Sequence, residues 1–588
     1  MWYALSLMKC KYHSRGHGHC PEAHRKNIRF LWPLTGLLAL IWVLIRVGPK
    51  PQRAMYPCQS VAVPLAASWI ASLFAGALAF RKAGRFLGER RFAMALAFAA
   101  LALGFGFWHL GLSSPPAEAA YKVDSTNAPM GVAKGIHPGR VAWVHDPDVT
   151  SWTGAGKWWL TNYVDQTVVD GMLANALRAL TEEDSDEAAW DALFRHHNQN
   201  RGKGDVGYAA GEKIAIKINI NNIGSYNDKP NNRIDALPQM VRSLLRQLVH
   251  NAGVPEEAIT VYDAQRKIGN YLYKYCRPEF SNVNFVGKTA MPGRPAAVWV
   301  AGGITYSSDI VNSTARRLPR HVIEAEYLIN MPILKAHGAV AGVTLAGKNH
   351  FGTCGMPSAL HTASRCDLRG MGTYDPQVDL MGHKDLGGKT ILYVMDGIYG
   401  ALRVNAVPSR WSMAPFNGDW PSSIFLSQDP VALDSVGLDF LRTQTLLKNN
   451  SDNYLHEAAL ADAPPSGKVY DPERDGIRLA SLGVHEHWDG PDTKQYSRNL
   501  GTGDGIELLP VENEMWPELD VLSIADGLVT FEAWHLLPRS VYVLESADSA
   551  TSTVWTAEYI FEATSSVHVW ENPITPGIAG GIIRFRGE

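Results

Sequence analysis

Long apolar segments alternate with short basic ones in the first part of the chain. Residues 30–47, 61–80 and 92–112 are almost continuously apolar. Because about 20 apolar residues are enough for a helix to cross the hydrocarbon core of a bilayer, this pattern predicts three transmembrane helices. We therefore expect a basic tail over residues 1–28 and a membrane anchor over residues 29–112.

Basic residues are distributed unevenly around the predicted helices. Six Lys and Arg residues precede the first apolar segment and five separate the second from the third, whereas two lie between the first and the second, apart from Arg46 at the edge. Since Lys and Arg accumulate on the cytoplasmic side of membrane proteins, the N-terminus should face the cytoplasm. No cleavage site for a signal peptide is evident, so we expect the helices to be retained and the main domain to lie outside, in the periplasm or the extracellular space.

Beyond a linker rich in Ser, Pro and Ala at residues 113–128, the apolar pattern becomes that of an α/β protein. Apolar runs at residues 212–220 and 258–264 predict two buried strands. Between them, apolar positions at helical spacing predict a helix that ends at Gly253. A strand, a helix and a strand in this order favour a parallel βαβ unit.

Two later strands and a helix extend this α/β domain, which we assign to residues 129–512. The apolar runs at residues 325–331 and 389–397 predict the strands. Asp429 followed by Pro430 predicts the start of the helix, because these residue types are favoured at the N-cap and the first helical position. The fold class predicted for this domain is α/β with a parallel-type sheet.

The pattern changes again towards the end of the chain. From residue 518 onward, short segments alternate apolar and polar residues, which is typical of strands buried on one face. We therefore expect residues 518–588 to form a small β-sandwich-like domain with a structural or adhesive role.

Charge and cysteine content narrow the classes of function. The 588 residues include 55 basic and 57 acidic side chains, for a net charge of −2, which provides no overall field to attract nucleic acid. The six cysteines follow neither the spacing of structural zinc sites nor that of ferredoxins, so a ferredoxin-type iron–sulfur cluster is not expected. An oxidising compartment would permit a disulfide between Cys354 and Cys366, but the pairing stays open.

The clearest chemical pattern is LKAHGAVAGVTLAGKNHFG at residues 334–352, with two Lys-x-His triplets around an apolar, glycine-containing run. Lysine can neutralise phosphate or carboxylate, histidine can carry a proton or bind a metal ion, and glycine lets the backbone approach a ligand. The candidate catalytic residues are therefore Lys335, His337, Lys348 and His350. The alternative is that the lysines are solvated and the histidines satisfy buried backbone groups.

Polar residues stand at or just after several of the predicted strands. Ligands of α/β proteins gather at the carboxyl ends of the strands, so these positions predict a binding site, to which we add the asparagine of the second triplet. The candidate ligand-binding residues are Asn219, Asn221, Asp263, Arg266, Asn330, Asn349 and Asp396.

Two other segments carry residue types found in metal sites. His485 and His487 lie on one face if their segment is extended, which suits two imidazole ligands. No third ligand is evident near them, and the alternative is a hydrogen-bonded pair. In the basic tail, CKYHSRGHGHC at residues 10–20 offers thiols and imidazoles to a soft metal ion.

Four segments carry a resemblance to a known family: GEKIAIKININ, LLRQLVHNAGVPEEAITVYDA, AEYLINMPILKAHGAVAGVTLAGKNHFG and SQDPVALDSVG. They resemble the family called domain of unknown function 362, over most of residues 135–505. The resemblance implies an α/β domain that sometimes accompanies iron–sulfur modules and that has no settled reaction. This chain differs from those members because it lacks ferredoxin-type cysteines.

The same glycine-containing segment is also similar to lactate racemase-type proteins. In those proteins a lysine carries a nickel-pincer cofactor and a histidine acts in proton transfer. The matching positions are Lys348 and His337, and His361 is the candidate for a second metal-binding histidine. The likeness implies that a metal ion is one option for the cofactor.

These features predict a membrane-anchored extracytoplasmic α/β protein that binds a small anionic or metal-associated ligand in an enzyme-like pocket. The expected partners are the lipid bilayer and a small-molecule or cell-envelope ligand. One alternative is a non-catalytic binding or scaffold protein of the cell envelope, and another is a metal-dependent or redox enzyme. Convergence of the two Lys-x-His triplets in space would favour a pocket over a scaffold.

Overall fold

The computed structural model describes most of the chain beyond the predicted membrane anchor. The described residues are 124–221, 232–311, 313–337, 342–364, 370–447 and 450–513, with the backbone of further strands between residues 518 and 587. They belong to Tyr121–Glu588, the second of two compact units. The basic tail and the three apolar segments lie outside the described residues. Within the described residues, no helix combines the length and the apolar character needed to cross a membrane.

The strands of the α/β region are mostly short and buried. They are β1 (Met130–Gly131), β2 (Arg140–His145), β3 (Ile214–Ile218), β4 (Ile259–Tyr262), β5 (Asn284–Val286), β6 (Trp299–Val300), β7 (Leu318–Pro319), β8 (Tyr327–Met331), β9 (Ile333–Lys335), β10 (Thr390–Ala401), β11 (Ser423–Ser427), β12 (Val484–His485) and β13 (Glu507–Val511).

In the described part of the chain, nine of these strands form one sheet, in the order β13, β2, β11, β10, β8, β3, β4, β5, with β9 paired to β10. Strands β3, β4, β5, β8 and β10 are parallel to their neighbours in this set. Strand β11 is antiparallel to both β10 and β2. The connection from β10 to β11, residues 402–422, contains no helix, and without a helical crossover the chain returns antiparallel. The sheet is thus mixed and mostly parallel, which confirms the predicted α/β class.

Helices cover the sheet and line its edges. They are α1 (Gln166–Thr181), α2 (Asp186–Asn200), α3 (Pro238–Arg246), α4 (Asn270–Cys276), α5 (Arg320–Glu324), α6 (Ala346–Asn349), α7 (Pro357–Ala363), α8 (Pro376–Gly382), α9 (Pro430–Gln444) and α10 (Asn453–Ala459).

The predicted βαβ unit is confirmed in β3, α3 and β4. All five residues of β3 are buried, as expected for a strand with both faces covered, and this explains its continuous apolar run. Helix α3 continues as a π-helical turn over Gln247–Asn251, and Gly253 follows with a positive φ of 66°. At the start of α9, the Asp429 side chain accepts hydrogen bonds from the N–H groups of Val431 and Ala432, both at 2.9 Å, so the predicted N-cap is confirmed.

The order in which successive strands are added to the sheet reverses at β3, while the strands stay parallel. Strands β4 and β5 follow on one side of β3, whereas β8 and β10 lie on the other side. In open α/β sheets, ligands bind in the crevice that forms beyond the carboxyl ends of the strands at such a reversal. The topology therefore directs attention to the residues that follow β3 and its neighbours.

The last part of the chain contains only strands among its described elements. They are β14 (Glu518–Ala525), β15 (Leu528–Trp534), β16 (Val541–Ala547), β17 (Thr556–Glu562), β18 (His568–Pro573) and β19 (Ile582–Gly587). They form two three-stranded antiparallel sheets, in the orders β14, β15, β18 and β17, β16, β19.

Candidate functional site

A cleft of about 560 Å³ opens at the carboxyl ends of β3 and β4. Asn219 and Asp263 line it, each one position after its strand ends. His337, Lys348 and His361, which follow β9 in the chain, line the same cleft. The fold therefore brings predicted catalytic and predicted ligand-binding residues into one cavity.

The floor of the cleft is organised by the side-chain amide of Asn349, in α6. Its oxygen accepts hydrogen bonds from Nζ of Lys217 at 3.2 Å and from Nδ2 of Asn219 at 2.9 Å. Its nitrogen donates to the backbone oxygen of Lys217 at 3.1 Å and to Oδ1 of Asn330 at 2.7 Å. Because all four hydrogen-bonding positions of this amide are filled, Asn349 ties α6 to the ends of β3 and β8.

Lys217 was not among the site residues predicted from the sequence, although it is a lysine within the apolar strand β3. Its Nζ donates to the backbone oxygen of Ile218 at 2.6 Å and pairs with Oδ2 of Asp263 at 3.1 Å. Burial lowers the pKa of Lys217, and the Asp263 carboxylate opposes this effect. A lysine inside an apolar strand was the available signal, since lysine is almost never fully buried without a partner.

Gly352 allows the backbone of its segment to lie close to the ion pair of Lys217 and Asp263. A Cβ atom at this position would lie 2.6 Å from Nζ of Lys217 and 2.8 Å from Oδ2 of Asp263. Both distances are shorter than van der Waals contact, so any larger side chain would displace the pair. Among the glycines of residues 342–352, Gly352 is the one whose added Cβ would meet residues that line the cleft at such short distances.

Lys335 and Asp396 are buried residues that do not line the cleft themselves. Nζ of Lys335, at the end of β9, donates to Oδ1 of Asn219 at 2.7 Å and so fixes the orientation of that amide. The Asp396 carboxylate accepts hydrogen bonds from the N–H groups of Leu237 at 3.3 Å and Ile398 at 3.2 Å. Burial raises the pKa of Asp396 to about 7, although these N–H groups and the charge of Lys335 oppose the rise.

Lys348 and His361 form a close pair at the cleft. Nδ1 of His361 lies 2.6 Å from the backbone oxygen of Pro357, which can only accept, so Nδ1 carries the proton. The free lone pair on Nε2 then faces Nζ of Lys348 at 3.1 Å. Burial and the charge of Lys335 lower the pKa of Lys348 to about 7, and burial and the charge of Lys348 lower the pKa of His361 to about 4.

Two polar atoms at the cleft have no hydrogen-bond partner among the described residues. They are Nδ1 of His337 and Oγ1 of Thr344. The rings of His337 and His361 have their centroids 5.7 Å apart, and burial, followed by the charge of Lys348, holds the pKa of His337 well below its usual range. A neutral imidazole and a hydroxyl without a partner in the described part of the chain can form hydrogen bonds with a ligand.

His350 does not line the cleft. Its Nε2 accepts a hydrogen bond from Nδ2 of Asn330 at 3.1 Å, and burial lowers its pKa to about 3. Each Lys-x-His triplet is therefore divided. His337 and Lys348 line the cavity, whereas Lys335 and His350 form hydrogen bonds with the side-chain amides of Asn219 and Asn330.

The rim of the cleft carries further basic groups. Nε of Arg266 donates to the backbone oxygen of Asn221 at 3.2 Å, and Nδ2 of Asn221 donates to Oδ1 of Asn405 at 2.7 Å. Lys288, an exposed residue just after β5, lines the cleft as well and was not predicted. No strand was predicted at β5, so the sequence provided no reason to consider the residues that follow it.

The charge balance of the cleft is strongly positive. Among the described lining residues, one carboxylate, that of Asp263, faces several basic groups, and it is already paired with Lys217. The basic lining residues are Lys217, Arg266, Lys288 and Lys348. Such a set favours binding of an anion, because a planar guanidinium and ammonium groups match carboxylate and phosphate oxygens.

Residues 214–439 match the family model described as Domain of unknown function (DUF362). This segment of the chain belongs to that family. The DUF362 segment runs from the start of β3 into α9, and it contains every described residue that lines the cleft. No curated protein matches the chain.

Within the DUF362 segment, His337 and Lys348, the two positions that resemble those of lactate racemase-type proteins, lie beside the candidate His361 at the cleft.

Two cysteines of this segment belong to the described residues. Cys276 and Cys354 are buried free thiols, and the sulfur of Cys354 accepts a hydrogen bond from the Tyr306 hydroxyl at 3.2 Å. Cys366, the other member of the disulfide considered from the sequence, lies outside the described residues.

The predicted metal candidates His485 and His487 lie outside the DUF362 segment and are not among the lining residues of its cleft. Nδ1 of His487 lies 2.7 Å from Oδ1 of Asp439, and its Nε2 lies 3.1 Å from a guanidinium nitrogen of Arg442. His487 therefore belongs to an ion-pair network, as in the alternative considered from the sequence. His485 has different surroundings, since its Nδ1 lies 2.8 Å from Oγ of Ser435.

Proposed function

We propose that the DUF362 domain binds a small anionic molecule in this cleft and exchanges a proton with it through Lys348. The observation that carries the proposal is the environment of the Lys348 amine. It is buried, its hydrogen-bonding neighbour is the lone pair of His361 at 3.1 Å, and among the described residues no carboxylate lies within ion-pair distance of it. A lysine held in this way is suited to proton transfer rather than to a structural ion pair.

The positive charge of the lining supports an anionic ligand. Arg266 presents a planar guanidinium and Lys288 an exposed ammonium at the rim, while Lys348 lies deeper. The Asp263 carboxylate is paired with Lys217, so it does not cancel the charge of the other three groups. A carboxylate or phosphate would compensate these charges and would fill the hydrogen-bonding capacity of His337 and Thr344.

Proton exchange follows from the pKa of about 7 for Lys348. Near neutral pH a large fraction of the amine is unprotonated and can accept a proton from an acidic C–H or O–H group of the bound molecule. The resulting ammonium donates a hydrogen bond to Nε2 of His361, while the anionic part of the ligand offsets the new charge. The same group returns the proton in the reverse step, as expected for a general acid and base.

Titration of full-length protein with inorganic phosphate, pyrophosphate, lactate and succinate tests the binding step. We expect at least one of these anions to bind wild type, and its Kd to rise about tenfold or more in Lys288→Gln and in Lys348→Met, because each variant removes a charged contact. Lys213→Met is the matched control, since Lys213 is exposed and pairs on the surface with Glu324. An equal affinity in all four proteins, or no binding by any of them, would favour the scaffold alternative.

The pH dependence of sulfate binding isolates the role of Lys348, because the charge of sulfate is constant from pH 5 to pH 9. The ammonium form attracts the anion and is lost as the pH rises through about 7, so we expect the affinity of wild type to fall by up to about tenfold per pH unit above that value. The pKa of His361 is about 4, so this ring does not titrate in the same range. Asp396, buried beside Lys335, also has a pKa of about 7, so the slope of Lys348→Met between pH 6 and pH 9 should be smaller than that of wild type but not zero. A wild-type-like slope in this variant would assign the titration to another group.

We also propose that the domain is held outside the cytoplasmic membrane by the three apolar segments at residues 30–47, 61–80 and 92–112. The support is the distribution of basic residues around them. Alkaline phosphatase fused after residue 120 should be active, because it requires an oxidising compartment, and green fluorescent protein fused at the same point should not fluoresce after export by the Sec pathway. The opposite pair of results would place the domain in the cytoplasm.

A further inference from the structure

A cluster of ligand-type side chains lies apart from the cleft, where the segment before β1 meets β12 and α10. Strand β1 pairs antiparallel with β12, with Met130 opposite His485, and the N–H of Asn127 donates to the backbone oxygen of His487 at 2.8 Å. This pairing brings Asp124 to His456 of α10 and His485 of β12. Three separate parts of the chain thus contribute one side chain each.

The three potential ligand atoms face one another. Oδ2 of Asp124, Nε2 of His456 and Nε2 of His485 all lie within 4.8 Å of one another. Oδ2 of Asp124 and Nε2 of His456 approach to 2.6 Å and form an ion pair when the ring is protonated, whereas Nε2 of His485 has no hydrogen-bond partner among the described residues. Buried polar atoms normally have partners, so the buried Nε2 of His485 beside this carboxylate and imidazole requires an explanation.

The protonation state of His485 leaves a lone pair at this point. Oγ of Ser435 donates to the backbone oxygen of Val431 at 2.6 Å, so it accepts from Nδ1–H of His485 at 2.8 Å. The proton is therefore on Nδ1, and Nε2 is free to coordinate a metal ion. Fixing of the second ring nitrogen by a hydrogen bond is the usual arrangement for metal-binding histidines, and His485 is fully buried in this orientation.

The charged groups beside the cluster nearly balance one another. Asp452 forms two hydrogen bonds of 2.6 Å with Arg442, and Asp439 pairs with His487 at 2.7 Å. Two carboxylates thus face one guanidinium and one imidazole, so the network is nearly neutral overall, although at His485 the charges of His487 and Arg442 act against a cation and that of Asp452 favours it. His487 is engaged in this network, and the ligand set consists of the other three side chains.

We propose that Asp124, His456 and His485 bind a divalent transition-metal ion of the Zn²⁺ class. Two imidazole nitrogens and one carboxylate oxygen match the ligand preferences of such ions, and three protein ligands leave a position for water or a further ligand. The side chains of Asp124 and His456 are 29% and 12% exposed, so this open position faces solvent. The ion would fasten the segment before β1 to β12 and α10.

The proposal is tested with full-length protein that has been stripped of metal by a chelator and titrated with Zn²⁺ and with Co²⁺. Asp124→Asn and His456→Gln each remove one ligand while preserving the size of the side chain. His250→Gln is the matched control, because His250 is exposed and belongs neither to the cluster nor to the lining of the cleft. Counting bound ions by elemental analysis separates this site from the Cys and His cluster of the basic tail, which all four proteins retain.

We expect wild type and His250→Gln to bind one more equivalent of Zn²⁺ than Asp124→Asn or His456→Gln, or to bind it at least 100-fold more tightly, since even an outer partner of a ligand is worth about 10 to 100-fold. The visible absorption of the Co²⁺ form should weaken in the same two variants. Circular dichroism of the metal-free proteins checks that the variants are folded. Equal stoichiometry and affinity in all four proteins, or no uptake by wild type, would overturn the proposal.

Discussion

Replacing Lys348 by methionine is expected to raise the free energy of unfolding at pH 7 by roughly 4 kcal/mol while it weakens anion binding. Burial and Lys335 lower the pKa of Lys348 from 10.5 to about 7, and each pKa unit corresponds to roughly 1.4 kcal/mol of preference against the charged form. Methionine has a similar length and no charge to desolvate. A large gain in stability with a loss of binding is the result expected when a residue is retained for function.

The lowered pKa of Lys348 also predicts how the free energy of unfolding changes with pH. Between about pH 7 and pH 10.5, the unfolded chain keeps the Lys348 proton and the folded protein releases it. The wild type should therefore gain stability as the pH rises through this window, and Lys348→Met should lack that part of the slope. Urea unfolding followed by tryptophan fluorescence at pH 7 and pH 9 measures both effects.

Lys213→Met is the control for this measurement, because an exposed lysine should change stability by no more than about 0.5 kcal/mol. A loss of stability in Lys348→Met, with Lys213→Met unchanged, would contradict the prediction. It would mean that the Lys348 ammonium is stabilised in the folded protein and that its pKa is not lowered.

The buried pair of Lys217 and Asp263 should give the second large effect, in the opposite direction. Asp263→Ala leaves the ammonium of Lys217 buried without its carboxylate, and we expect a loss of about 3 to 5 kcal/mol. Lys217→Met leaves the carboxylate in the same position and should cost a similar amount. The double variant removes both charges, so it should be more stable than the sum of the single losses predicts.

A double-mutant cycle from urea unfolding isolates this coupling, which we expect to be about 2 kcal/mol. Asp263 also accepts hydrogen bonds from the N–H groups of Ile220 at 3.3 Å and Gln265 at 2.9 Å. Their loss occurs in both backgrounds and cancels in the cycle. Additivity within about 0.5 kcal/mol would show that the pair contributes little, and the positioning of Lys217 would then depend on its hydrogen bonds to Asn349 and to the backbone oxygen of Ile218.

The outcomes for the two Lys-x-His triplets show how far the site could be predicted. Their composition predicted a polar site, because apolar packing does not require lysine and histidine in such a segment, and two of the four side chains, His337 and Lys348, line a polar cleft. Which member of each triplet reaches the cavity depends on the path of the backbone. Lys335 is the last residue of β9, and its Nζ donates a hydrogen bond to Asn219. Lys348 lies in α6, and its Nζ contacts Nε2 of His361.

Other residues of the site were indicated only weakly by the sequence, or not at all. Lys217 interrupts an apolar strand, and this makes it an unusual residue on sequence grounds alone. Lys288 and Thr344 look like ordinary surface or turn residues in the sequence, and only the folding of their segments over the cleft brings them to it. Asp124 and His456 have no sequence relation to His485, because their proximity arises from the pairing of β1 with β12.

The sequence by itself determined the α/β class, the βαβ unit around β3, the N-cap of α9 and the DUF362 segment, because these depend on local periodicity, capping chemistry and sequence motifs. Only the tertiary structure decided which polar side chains share a cavity, which lysine lacks a carboxylate partner and which histidine keeps a free lone pair. Those properties depend on burial and on contacts between segments far apart in the chain. Desolvation and charge proximity set the pKa of Lys348, and neither can be read from neighbouring residues.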